Sequence, residues 1–197
     1  MILARILLTS AIALPLMSAS VSPAPQPPVV GKVFMRVDEA LKLAFPDCEV
    51  DRGTVYLTED QRKRAKDLAK FDIPLRIFHP YKAMKDGKHI GTAYFDTHKV
   101  RTMNESVMIV VTPDDKISRV EILSFSEPVE YVPSGKWYGQ FTDKKLNDDL
   151  SLKRKIRGMT GATLTARATT KCARRVLALH QAIKPKKKSG EKKKNEK

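Results

Sequence analysis

The spacing of apolar residues changes twice along the chain, and each change marks a change of element. In FMRVDEALKLAF, Phe34 to Phe45, apolar residues recur three and four apart, the period of one helix face. Asp38 and Glu39 fall in the first turn, where acidic groups suit the helix dipole, and Pro46 ends the pattern. VYL at 55–57 predicts a small strand. Thr58 then opens TEDQRKRAKDLAKF with Gln61 three residues on, close to a capping box. This predicts a polar helix with a solvated basic face.

From Leu75 the period shortens through LRIFHPYKA, KHIGTAYFDTHKV and ESVMIVVTPDDKISRVEILSFSE, the signature of strands. The last stretch reads as a hairpin, because the β-rich runs 107–112 and 117–125 are joined by PDDK, a good turn sequence. Successive strands without βαβ alternation disfavour a parallel sheet. The predicted fold class is α+β, an antiparallel sheet with flanking helices in one domain over 34–183. A last helix follows from the stripe Leu164, Ala168, Cys172, Val176, Leu179 and Ile183, with Thr165 as its N-cap. Between hairpin and helix, residues 127–156 form a connection long enough to suggest a ligand-facing segment. Its other reading is a surface loop with Trp137, Tyr138 and Phe141 as a small satellite core.

The chain has 197 residues, 42% of them hydrophobic, enough for one domain with a core. Its net charge is +15. Residues 184–197 hold eight lysines and two glutamates and supply +6 of that. Without apolar residues such a run does not fold; it reads as a disordered basic tail, solvated or in contact with an anionic membrane surface. At the other end an early arginine, an apolar run of 12 residues and the small residues SAS read as a signal peptide over 1–20, followed by a proline-rich leader over 21–33. The expected location is periplasmic or on the extracytoplasmic face of the membrane. Export permits a disulfide between Cys48 and Cys172, although the helical stripe favours a buried free thiol at Cys172. His79, His89, His98 and His180 are scattered; with no Ser/His/Asp pattern, no metal spacing and no histidine cluster beside the cysteines, no catalytic group and no metal site are expected.

The stretch GMTGATLTARATTKCARRVLAL, Gly158 to Leu179, puts glycines and threonines ahead of the final helix. Gly158 and Gly161 allow close backbone approach, Ala162 adds little bulk, and the first turn of a helix favours a phosphate. Capping accounts for Thr165 but not for Thr160 and Thr163.

The run Gly158-Met159-Thr160-Gly161-Ala162-Thr163-Leu164-Thr165 resembles the flavinylation motif of the FMN-binding domain family, written D-G-x-(S or T)-G-A-T-x-(S or T). The family includes exported flavin subunits of Rnf-type complexes and of sodium-translocating NADH:quinone reductase. The resemblance implies covalent FMN, joined through its phosphate to Thr163 by an FAD:protein FMN transferase that uses FAD and magnesium. VEILSFSEP resembles the family's strand leading to a glutamate turn, which places Glu127 near the cofactor, and Trp137, Tyr138 and Tyr131 are candidates for the flavin wall. The likeness spans about 75–179. Arg157 stands where the motif has aspartate, and the glutamate turn lacks the family's threonine and glycine, since Glu127-Pro128-Val129-Glu130 stands there.

The resemblance implies an electron carrier working between membrane or extracytoplasmic redox proteins. Two other readings remain: a basic, non-redox binding module, for which the signal sequence disfavours nucleic acid, and a family member that keeps the fold without flavin.

Overall fold

A computed structural model describes residues 31–185; the signal segment, most of the leader and the tail from residue 186 lie outside the described residues. All six strands of the main sheet are antiparallel, and the fold is α+β. Their order is β1 (Lys32–Val33), β8 (Ile117–Phe125), β7 (Asn104–Val111), β6 (Lys88–Lys99), β5 (Tyr81–Lys85) and β2 (Glu49–Arg52). β3 (Val55–Tyr56) and β4 (Ile77–Phe78) form a separate two-stranded ladder. The helices are α1 (Val37–Ala44), α2 (Glu59–Ala69), the single turn α3 (Gly135–Tyr138) and α4 (Thr163–Ala182).

The alternation of a strand explains the two cores. Along β7, Val107, Ile109 and Val111 face one core with α2 and α4, while Met108 and Val110 face the other with Ala40 of α1 and Phe45. Because both faces are covered, the run VMIVV is continuously apolar and hides its own period. α1 and α2 begin and end close to where spacing predicts them. Thr58 accepts from the Gln61 backbone N–H at 3.2 Å and Gln61 Oε1 from the Thr58 N–H at 3.0 Å, completing the capping box. Thr58→Ala is expected to cost about 1 kcal/mol, measured as a lower urea midpoint at unchanged slope.

Three expectations change. Trp137, Tyr138 and Phe141 are no satellite; they are buried in the main core, with Trp137 edge-on to both neighbours at 5.2 and 5.3 Å. On α4, Leu164 is exposed and Ala168 half-buried, and the buried stripe instead includes Thr165, Thr169, Cys172, Val176 and His180. α4 starts at Thr163, two residues before the expected cap. Cys172 is a buried free thiol as expected, and Cys48 is free beside the opposite core.

His180, near the end of α4, is buried, and Tyr94 Oη lies 2.6 Å from its Nδ1. Its Nε2 lies 3.1 Å from Asp115, which also pairs with Lys184. Burial and the Lys184 charge depress the imidazole pKa to about 4, so the folded state holds it neutral. Between the ordinary value of 6.5 and about 4, the unfolded chain therefore binds the extra proton. Stability from this group is present above pH 6.5 and falls as pH drops toward 4, by about 3 kcal/mol at most. His180→Gln should flatten that limb in thermal unfolding against pH.

Candidate functional site

The threonine turn is held from behind before it reaches α4. Trp137 Nε1 donates to the Arg157 carbonyl at 2.7 Å, and the Arg157 N–H donates to Gln140 Oε1 at 2.8 Å. With the entry fixed, the chain reverses at Gly161, whose φ of +82° is left-handed and suits glycine. Gly158 has ordinary dihedrals and open space around it, so the expected special backbone belongs to Gly161 alone. Ala162 then occupies the N-cap position and offers no side-chain cap. The N–H groups of Thr163, Leu164 and Thr165 thus lack intrahelical partners.

The three threonines separate in space. Thr163 is exposed as the first residue of α4, and its hydroxyl donates to the Met159 carbonyl at 3.2 Å. Thr160 is exposed on the turn. Thr165 is not the N-cap: it is buried in the first turn and its hydroxyl donates to the Tyr131 carbonyl at 2.7 Å. A threonine that ties a helix to a neighbouring loop has the same local sequence as one that caps it, so spacing alone points to Thr165 as the cap.

Beside Thr163 lies a cleft of about 210 Å³ lined by Val100, Arg101, Glu127, Tyr131 and residues 161–165. Three segments converge there: the β6–β7 turn, the 3-10 turn Val129–Tyr131 after β8, and the start of α4. Glu127 is buried, and one of its oxygens accepts from the Met103 N–H at 2.7 Å and from the Thr102 N–H and hydroxyl at 2.6 and 3.1 Å. These bonds, the Met103 N–H foremost and against the cost of burial, hold its carboxyl below the usual range. Ionised, Glu127 is an acceptor only; it shapes the β6–β7 turn that forms one wall. Trp137 does not line the cleft. It is in the core behind the turn, and the aromatic wall is Tyr131.

Beneath the first turns of α4 runs a buried network that spacing did not reveal. Glu105, fully buried at the start of β7, receives hydrogen bonds from Tyr138 Oη at 3.1 Å and Thr169 Oγ1 at 2.9 Å. His98 bridges Glu105 through Nε2 at 2.9 Å and Asp96 through Nδ1 at 3.0 Å. Arg175 of α4 grips both oxygens of Asp96. Burial works against the imidazolium, but the Asp96 and Glu105 hydrogen bonds outweigh it and raise the His98 pKa. A histidine does therefore lie beside Cys172: ligand atoms of Asp96, His98 and Cys172 fall within 4.8 Å of one another. Arg175 bonds to both Asp96 oxygens and adds a fixed positive charge, so the cluster is built as an ion-pair network and not as a cation site. His79 instead meets Thr54, 3.1 Å from its Nδ1, and His89 meets Thr92, 3.0 Å from its Nε2.

An exposed hydroxyl at an uncapped helix start, over a half-open cleft with an aromatic wall, defines a site suited to the phosphate and ring of a nucleotide-like cofactor. Residues 104–178 match the family model of the FMN-binding domain. The matched segment runs from β7 into α4 and contains both Glu127 and Thr163. The match supports a flavin-binding protein with FMN as the cofactor. Comparison with curated proteins and with solved structures gave no match.

Proposed function

We propose that the Thr163 hydroxyl carries FMN through a phosphoester and that the protein is an exported carrier relaying electrons between membrane or extracytoplasmic redox partners. The observation that carries this reading is the position of Thr163, exposed at the mouth of the Arg101, Glu127 and Tyr131 cleft. Attachment by an FAD:protein FMN transferase is a phosphoryl transfer. The Thr163 oxygen bonds to the FMN phosphorus of FAD, the pyrophosphate bond breaks, AMP leaves, and the hydroxyl proton is released.

Once bound, the flavin supplies reversible electron transfer. The chain supplies the rest. The open N–H groups and positive end of α4 favour the ester's charge, and Arg101 adds a cation on the facing wall. The Arg157 side chain is exposed and makes no ion pair among the described residues, so it is available to the same anion. Tyr131 offers a flat face to the ring. Pockets that enclose a ligand of drug size hold about 300 Å³ or more, so a cleft of about 210 Å³ shields only part of FMN. A shallow cleft holds a cofactor weakly, and a covalent tether removes that weakness while leaving an edge open to another protein.

The test is intact-mass spectrometry of the chain produced with its signal segment and an active transferase. One added FMN mass, with a flavin-fluorescent band surviving a denaturing gel, is expected. An unmodified, colourless chain, beside a control substrate that the same transferase does label, would retire the reading in favour of a flavin-free family member.

A further inference from the structure

We infer that Trp137 and Gln140 are positioning residues for the flavin acceptor, holding the turn before α4 so that Thr163 is presented at the cleft. The inference rests on the reading of Thr163 as the attachment point. Both side chains grip the backbone of one residue: Trp137 Nε1 donates to the Arg157 carbonyl at 2.7 Å, and the Arg157 N–H donates to Gln140 Oε1 at 2.8 Å. Gln140 Nε2 in turn donates to the Trp137 carbonyl at 3.3 Å, so both ends of its amide are used. The three bonds close a latch around Arg157.

The latch matters because the turn has no other such tie. Among the described residues, no other hydrogen bond joins residues 157–161 to anything outside the turn itself and the start of α4: the Met159 carbonyl accepts from the Ala162 N–H at 3.1 Å and from the Thr163 hydroxyl at 3.2 Å. Met159 packs half-buried against the main core, while Gly158, Thr160 and Gly161 are exposed. The latch is anchored where the turn is not. Trp137, Tyr138 and Ile156 are buried, and Tyr138 Oη donates to the fully buried Glu105 at 3.1 Å. Downstream, Thr165 is tied to the Tyr131 carbonyl. Thr163 thus lies between two fixed points, and the latch is the upstream one.

Because the latch grips backbone atoms, it acts whatever side chain residue 157 carries. The turn therefore does not need the motif's aspartate to hold its shape, and Arg157 is tolerated there. Phosphoryl transfer is sensitive to such holding, since a misplacement of about 1 Å at a reacting atom costs on the order of 100-fold in rate. An unlatched turn presents the Thr163 hydroxyl for only a fraction of the time, and that fraction lowers the apparent affinity of the transferase for the chain.

The test compares the full chain with Gln140→Leu, which removes the acceptor, Gln140→Glu, which keeps an oxygen there, and Trp137→Phe, which removes the indole donor and keeps a ring in the core. With an active transferase and FAD, Gln140→Leu and Trp137→Phe are each expected to raise KM for the chain about tenfold at unchanged kcat, the size of one lost hydrogen bond. Gln140→Glu should recover most of that loss. A second readout needs no flavin. Trp137 is the only tryptophan, so its indole N–H gives one NMR signal. That signal and the Arg157 amide should exchange slowly with solvent in the parent and in Gln140→Glu, although residue 157 is exposed. In Gln140→Leu the Arg157 amide should exchange about tenfold faster, with matched unfolding curves to check that the fold is intact. Labelling of Gln140→Leu at the parent's KM, or an Arg157 amide whose exchange that substitution leaves unchanged, would overturn the inference. A parent that stays unlabelled beside a labelled control substrate would retire the flavin reading instead. Exchange over residues 158–163 then decides the latch: faster exchange in Gln140→Leu supports it, and unchanged exchange overturns it.

Discussion

A Thr163→Ala chain, made with its signal segment and an active transferase, is expected to emerge without any added FMN mass and without in-gel fluorescence. The expected effect is complete loss, because neither neighbouring threonine is placed to substitute. Thr165 is buried with its hydroxyl donated to Tyr131, and Thr160 lies on the turn away from the cleft lining. Thr163→Ser keeps an oxygen at the start of α4 and should still be labelled. Gly161→Val should lower the labelled fraction with Thr163 intact, since a φ of +82° is strained for a β-branched residue and the hydroxyl would be displaced. Arg157→Asp, which restores the family's motif residue, is expected to raise labelling at limiting transferase. Labelled Thr163→Ala protein would move the attachment point elsewhere.

Glu105→Ala is expected to produce the largest loss of stability, about 3–5 kcal/mol, against a typical total of about 5–15 kcal/mol. Removing this fully buried side chain leaves His98 Nε2, Tyr138 Oη and Thr169 Oγ1 without their common partner. Urea unfolding at pH 7 measures it, and a change below about 1 kcal/mol, the usual worth of a surface pair, would show the network to be dispensable. The pH dependence of the parent follows the same groups. The His98 pKa is raised in the folded state, so its contribution is complete below the ordinary value of 6.5 and is lost as pH climbs through the raised value. The Asp96 pKa is lowered: burial opposes ionisation, but the His98 and Arg175 hydrogen bonds prevail. Its contribution is present above the ordinary value of 3.8 and fades as pH falls below it. His98→Gln should remove the alkaline limb and leave the limb due to His180.

Local chemistry was legible in the sequence wherever a few consecutive residues decide the outcome. The capping box of Thr58 and Gln61, the stop at Pro46 and the turn between the strands of the hairpin depend on neighbours within four residues. The motif around Thr163 was legible for the same reason, as a run of adjacent residues that resembles a family pattern. The roles of Trp137 and Thr165 were not. Trp137 holds the Arg157 carbonyl 20 residues away, and Thr165 bonds to a carbonyl 34 residues away. An aromatic beside a glycine, or a threonine beside a helix start, has the same local pattern in either role.

The sequence by itself determined the element types, the α+β class, the buried thiol at Cys172 and the threonine on which the functional reading rests. Only the tertiary structure decided that Tyr131, not Trp137, walls the cleft, that α4 begins at Thr163, and that Asp96, His98, Glu105 and Arg175 share one buried network. The physical reason is range: propensities and caps act through bonds along a few residues. A cleft or a buried ion network exists only where separate strands and helices are packed together and water is excluded between them.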